Sequence, residues 1–203
     1  MTHEDIKNII GSLYPGHLTV ERYQSLYMDA ELKLFYRLHT AGRMDALSGF
    51  RVVMGDGTDP LHVTQGVAPL PSDYFCSPGG YYMNGTVPTL VNFVEDNEYN
   101  RLIAHVYEYP DAKHPIANIQ ADSIRVRPTT VKFIVMNYIS HPTEPVYATT
   151  EDRGFVEFDA TGSTAVRWVG PEIVLLIQEI LQSLGVIATQ SEIQSKIANQ
   201  NPS

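Results

Sequence analysis

Catalysis and metal binding need particular side chains at particular spacings, and this sequence supplies few of them. Its seven histidines are His3, His17, His39, His62, His105, His114 and His141. No two fall at the helical spacing that puts two imidazoles on one metal ion. None neighbours the single cysteine, Cys76, so a Cys–His nucleophile would have to be assembled by the fold. One cysteine also excludes an internal disulfide and a Cys-rich zinc site. There is no phosphate-binding glycine loop, no G-x-S-x-G elbow and no H-E-x-x-H pair. Asp56-Gly57-Thr58-Asp59 opens like a calcium loop, but the sixth position is Leu61 where glycine is needed. The closing acidic position is Val67, so the segment reads as an Asp-Gly turn. Glu95, Asp96 and Glu98 cluster at a predicted helix start, where the helix dipole accounts for them. Arg125, Arg127 and Lys132 make a modest basic patch whose default partners are the chain's own carboxylates. The expectation is a protein with no catalytic residues, no cofactor and no metal.

The elements that would position any site come next. The chain has 203 residues, of which 43% are apolar, enough to build one sizeable core or two small ones. Asp and Glu number 23 against 14 Lys and Arg, a formal charge of −9. Such a surface repels nucleic acid backbones and argues against tight sequence-specific DNA binding. The apolar runs Phe133–Met136 and Ile173–Ile177 fall far short of a membrane span, and the acidic start Met1–Asp5 lacks a secretory core. A soluble chain made in the cytoplasm is expected.

Helical periodicity predicts helices over 2–13, capped by Thr2, and over 20–41, capped by Thr19 and stopped by Gly42. The second carries Tyr23, Leu26, Tyr27, Ala30, Leu34 and Leu38 on one stripe, with Leu32 and Phe35 off it. Its two apolar faces suit either a neighbouring subunit or ordinary burial in a bundle. A helix is predicted over 95–107, and another opens at Gly170-Pro171-Glu172 and closes at Gly185. The capping box Thr189-Gln190-Ser191-Glu192 starts a last one. Residues 116–168 read as a small antiparallel β-domain, with strands at 124–127, 131–138, 155–158 and 164–168. Residues 43–94, rich in Gly, Pro and Asp, read as a long extended loop with one short hairpin. Its aromatics would meet another chain.

The predicted fold class is therefore α+β: a helical bundle with a small antiparallel β-domain and a long extended loop. The segments are 1–42 (helices), 43–94 (excursion) and 95–203, the last forming one core with the N-terminal helices. Tyr27, Phe35, Tyr74, Phe75, Tyr81 and Tyr82 are the candidate interface residues. Deleting the tip of the 72–86 loop is expected to leave the monomer folded and to impair assembly.

Several segments, in this order, resemble a known family. They are Thr19–Gln24 running through Leu34–Leu38, Leu70–Tyr74, Tyr99–Arg101, His114–Ala117, Ile124–Pro128, Tyr138–Tyr147, and Val166–Glu172 followed by the helix to Leu184-Gly185. Together they cover most of the chain. It resembles the tail-adaptor, or head-to-tail connector ring, proteins of Bacteroidetes bacteriophages, including crAss-like phages. Before Trp168, where the family pattern has an acidic residue, this chain has Arg167. The resemblance implies a structural virion protein without catalytic residues, and a homo-oligomeric ring, dodecameric in that family. Its partners would be the portal protein, other connector or tail proteins, and passing genomic DNA held non-specifically, with no membrane. It would be assembled in the host cytoplasm and reside in the virion neck. A tail-completion or terminator protein is the other virion reading, and a small hydrolase the enzymatic one.

Overall fold

The computed structural model describes residues 1–55, 61–105, 107–152 and 155–200. The elements of the first half are α1 (His3–Leu13), α2 (Val20–Thr40), β1 (Arg51–Met54), β2 (Leu61–His62), β3 (Val67–Pro69), β4 (Tyr74–Asn84), β5 (Val87–Phe93) and α3 (Asp96–Ala104). Those of the second half are β6 (Ile116–Ile119), β7 (Ser123–Arg127), β8 (Phe133–Ser140), β9 (Thr149–Asp152), β10 (Phe155–Phe158), α4 (Glu172–Ser183) and α5 (Gln190–Gln200). The chain divides into two compact units, Met1–Gly49 with Pro142–Ser203, and Phe50–His141. The divisions thus fall after Gly49 and His141, not after residues 42 and 94.

The first unit is helical with one small hairpin. α1 begins with a complete capping box: Asp5 N–H donates to Thr2 Oγ1, and Thr2 N–H donates to the Asp5 carboxylate at 2.7 Å. Its stripe of Ile6, Ile9 and Ile10 is buried. α2 is capped by Thr19, whose hydroxyl accepts from Arg22 N–H. It ends at Gly42, where φ of +71° suits a residue without Cβ. α2 packs on α4, and the Arg37–Glu179 ion pair ties their surfaces. The off-stripe Phe35 is fully buried within the chain. α5 opens with the expected box, Thr189 N–H donating to Glu192 Oε2 at 2.7 Å. β9 and β10 pair antiparallel as a two-stranded sheet.

The second unit is a sheet in the order β1-β8-β4-β5-β6-β7-β3, with β2 also paired to β8. It curls into a half-barrel. Only β5 and β6 run parallel, bridged by α3. The concave core holds Tyr82, Val91, Ala117, Ile124, Val126, Ile134, Met136 and Tyr138. β4 and β5 form a hairpin on the two-residue turn Gly85-Thr86, with Gly85 at φ +64°.

The expected helical bundle with a small β-domain and a long extended loop is therefore wrong. The sheet dominates this half of the chain, and most of it is built from 43–94. The Gly and Pro residues that suggested a loop mark irregularities inside strands. The register of β4 against β8 shifts between Tyr74 and Cys76 and again between Cys76 and Gly79, so the Ser77–Gly80 run is a bulged strand. Gly80 is required there, since a Cβ would lie 2.7 Å from Val135 O. The supposed β-domain over 116–168 is split: its first strands complete the sheet, β10 joins the helical unit, and 164–168 is extended chain outside any strand. The deletion expectation fails with it. Residues 74–84 are the strand between β8 and β5, and removing the 72–86 tip would open the sheet.

One close approach in the helical unit makes a sharp prediction. A Cβ on Gly49 would sit 1.8 Å from Arg167 O, a backbone atom with nowhere to go. Gly49→Ala should lower stability by about 1–3 kcal/mol. A urea melt matching wild type would contradict that contact.

Candidate functional site

Alternation along the strands sends one set of side chains into the concave core and the other to the outer face. Tyr82 goes in and is buried; Tyr81 goes out and is half-buried. Register then fixes its neighbours. Tyr81 stands opposite Val135 on β8 and Leu90 on β5, and Met83 stands opposite Pro88. Phe133 shares the face of Val135, and Val53 on β1 stands opposite Asn137 of the same set. Leu90 is 81% exposed, and Met83, Val53 and Phe133 are about half exposed. These are exposed aliphatic and aromatic groups on one face of the sheet, with Tyr81 half-buried and Val135 buried between them, and open apolar groups of this kind mark a contact surface. Toward Ile139 the same face is buried. Beyond Leu90 the patch runs into a groove of about 870 Å³ whose walls include Leu102, Tyr107, Tyr109 and Ile116. Tyr107 is almost fully exposed.

The charge on this sheet is one-sided. Strands β1 to β8 contain no Asp or Glu, yet they carry Arg51, Arg125 and Arg127, and Lys132 precedes β8. None of these four cations makes an ion pair among the described residues. Phe133 lies on the open part of the face, where His62 stacks edge-on against it at 4.8 Å between ring centres, and Arg51 stands at the other end, opposite Ile139.

The helical unit holds a second feature, a cavity of about 230 Å³ lined by His3, Tyr27, Glu31, Thr143, Pro145, Thr164, Ala165 and Arg167. Its polar groups are bonded to one another. Trp168 Nε1 donates to Glu31 Oε1 at 3.0 Å in a buried contact. The Tyr27 hydroxyl also hydrogen-bonds the Glu31 carboxylate. His3 Nδ1 meets the Tyr23 hydroxyl at 3.0 Å, and its Nε2 meets Thr164 Oγ1 at 3.3 Å. Burial raises Glu31 to about 7, against the opposing pull of Trp168, Arg167 and Tyr27. Burial lowers His3 to about 4. The phenols of Tyr23 and Tyr27 are pushed above their ordinary range by burial. Glu31 is the one carboxylate lining the cavity, and both His3 nitrogens are engaged, so the geometry is that of a bonded interior network.

The residues singled out from sequence separate accordingly. Tyr27 and Phe35 are core residues of the helical unit, and Tyr82 is core in the sheet unit with its hydroxyl donating to Ala112 O. Tyr74 and Phe75 are half-buried at the start of β4, beside Tyr138 and His141 respectively. Only Tyr81 joins the open face. Cys76 is half-buried and burial raises its thiol, the opposite of an activated nucleophile. Glu95, Asp96 and Glu98 sit at the start of α3, and Arg125 and Arg127 act electrostatically on Tyr99. Asp56–Asp59 lie outside the described residues. Among the described residues no group of three or more His, Cys, Asp or Glu could hold a metal, and no helix is long and apolar enough to cross a membrane.

Sequence reading missed Leu90, Met83 and Phe133, because their exposure follows from strand register. It also missed Glu31, whose signal was visible: a carboxylate four residues from Tyr27 and four from Phe35, on an apolar face. No family model matches the chain, and no curated protein matches it.

Proposed function

We propose that this chain is a structural ring subunit of a bacteriophage head-to-tail connector, working by binding copies of itself and its neighbours in the neck. The observation that carries the reading is the open apolar face of the half-barrel, with Leu90, Met83, Phe133 and Val53 uncovered in the single chain. An aliphatic surface of this kind has no use for a nucleic acid or a polar metabolite; it fits another protein surface. The ordered likeness of its segments to connector proteins supplies the kind of assembly. The surface supports a contact role, and the partners would be the portal, an adjoining ring, and further copies of the chain.

Purified protein examined by negative-stain electron microscopy should show closed rings. Immunogold on purified particles should label the junction of head and tail. A protein abundant in infected cells but missing from washed particles would remove the proposal.

A further inference from the structure

We propose that the groove beside β5 takes up an extended, uncharged segment of another protein, which adds to the sheet as a strand along the free edge of β5. The contact is separate from the ring reading and does not depend on it. It uses the backbone of Leu90, where the open face uses the side chain.

β5 is paired along most of its length on one side alone. Val87 to Val91 pair with β4, whereas β6 joins the other side at Asn92 and Phe93. The two-residue turn makes Asn84 and Val87 the closing hydrogen-bonded pair, and bonding alternates from there. Val87, Thr89 and Val91 therefore direct their backbone groups to β4, and Pro88, Leu90 and Asn92 direct theirs away. Asn92 obeys this rule, its N–H donating to Pro115 O at 3.0 Å. Pro88, which has no N–H to offer, sits where a strand edge tolerates proline. Leu90 N–H, Leu90 C=O and Pro88 C=O are left pointing off the edge, with no partner among the described residues.

The groove of about 870 Å³ lies along this edge. Pro88, Thr89 and Leu90 all line it. Successive residues of a strand send their side chains to opposite faces, so three in a row share a wall through their backbone. One donor between two acceptors is half of a ladder, and its complement is another strand. Leu102, Tyr107, Tyr109 and Ile116 supply apolar walls for the side chains of that strand. The rim selects little charge, because Arg101 is paired with Glu108 and His114 with Asp111.

Two other occupants fit less well. Phosphates would meet Glu98, Glu108 and Asp111 against Arg101 and Lys113, an excess of like charge. A second copy pairing antiparallel through the same edge, Leu90 opposite Leu90, would gain two ladder bonds. The next pair would set Pro88 against Asn92, whose N–H is already used.

The test uses the full chain. A library of random ten-residue peptides in messenger RNA display is selected on the immobilised protein. The strongest ligand is synthesised with a fluorophore and titrated by anisotropy. It should be uncharged, with apolar residues at alternate positions. Leu90→Pro deletes the N–H that faces the groove and no bond to β4, whereas Leu90→Ala deletes the side chain and keeps that N–H. Leu90→Pro should bind the peptide ~10-fold more weakly than Leu90→Ala. Should Leu90→Pro melt early, N-methylated peptides read the same contact on the wild-type protein. Methyl groups on one alternate set of peptide nitrogens should abolish binding, and on the other set should leave it nearly unchanged. A selection that yields no ligand, equal affinity for the two variants, or indifference to both sets of methyl groups would overturn the proposal. So would a wild-type dimer that Leu90→Pro abolishes, which would give the edge to a second copy. A chain that binds the peptide and forms no rings loses the ring reading alone, and a ring-former that selects no peptide loses this one alone.

Discussion

Trp168→Ala should destabilise the protein by about 3–5 kcal/mol in urea or guanidinium titration. The indole is 2% exposed, so its removal leaves a cavity as well as the lost transfer energy of the ring. A second cost is polar: the indole N–H is the donor to Glu31 Oε1, and its loss leaves a buried carboxylate short of a partner. Trp168→Phe separates the two effects. It keeps most of the apolar volume, removes the donor, and should cost about 1–3 kcal/mol. It should also push the Glu31 carboxyl further up, since the Trp168 bond is the largest influence holding it down. A loss below about 1 kcal/mol for the alanine variant would mean that the indole is not the keystone of the helical unit.

The pH dependence of stability should be nearly flat where two groups oppose each other. His3 is lowered from its ordinary 6.5 to about 4, so the unfolded chain binds the extra proton as pH falls. Its contribution is present above 6.5 and is lost as pH falls through about 4. Glu31 is raised from 4.5 to about 7, so the folded chain holds the extra proton. Its contribution is present below 4.5 and is lost as pH rises through about 7. Between roughly 4.5 and 6.5 the slopes have opposite signs and each approaches about 1.4 kcal/mol per pH unit. Substitution should unmask them. Taken relative to wild type, Glu31→Gln should gain stability with rising pH across this window. His3→Gln, relative to the same reference, should lose it. Denaturant titrations at half-unit pH steps would show this, and two variants with parallel profiles would contradict the buried network.

What was legible in the sequence was local. The Thr2 cap, the Thr189–Glu192 box and the stop at Gly42 lie within a few residues of the ends they set, and all three hold. The strands over 124–127 and 131–138 were legible from β-branched runs. Their partners were not, because β8 pairs with residues 51–54, 61–62 and 74–81, and no local pattern encodes that pairing. β4 was the hardest case. Its Ser-Pro-Gly-Gly run has the composition of a loop, and only the close approach of Val135 O to Gly80 explains glycine inside a strand. The contact surface failed for a related reason. Tyr81 and Tyr82 are equivalent by composition, yet one pleat puts the first outside and the second in the core. Aromatic content identified large side chains, and register decided which of them remain available.

The sheet unit is an insertion between the two halves of the helical unit, and its ends meet, Ser140 Oγ donating to Phe50 O at 3.1 Å. That has a consequence for synthesis on the ribosome. α1 and α2 emerge first, but α4, on which α2 packs, follows only after residues 50–141 have been made. At ordinary ribosomal elongation rates the interval is on the order of ten seconds. During it the face of α2 that packs on α4 lacks its native partner, while the half-barrel can close with every one of its strands in hand. The nascent chain therefore carries a sticky helical pair beside a finished sheet, and holdase chaperones should be found on the first forty residues.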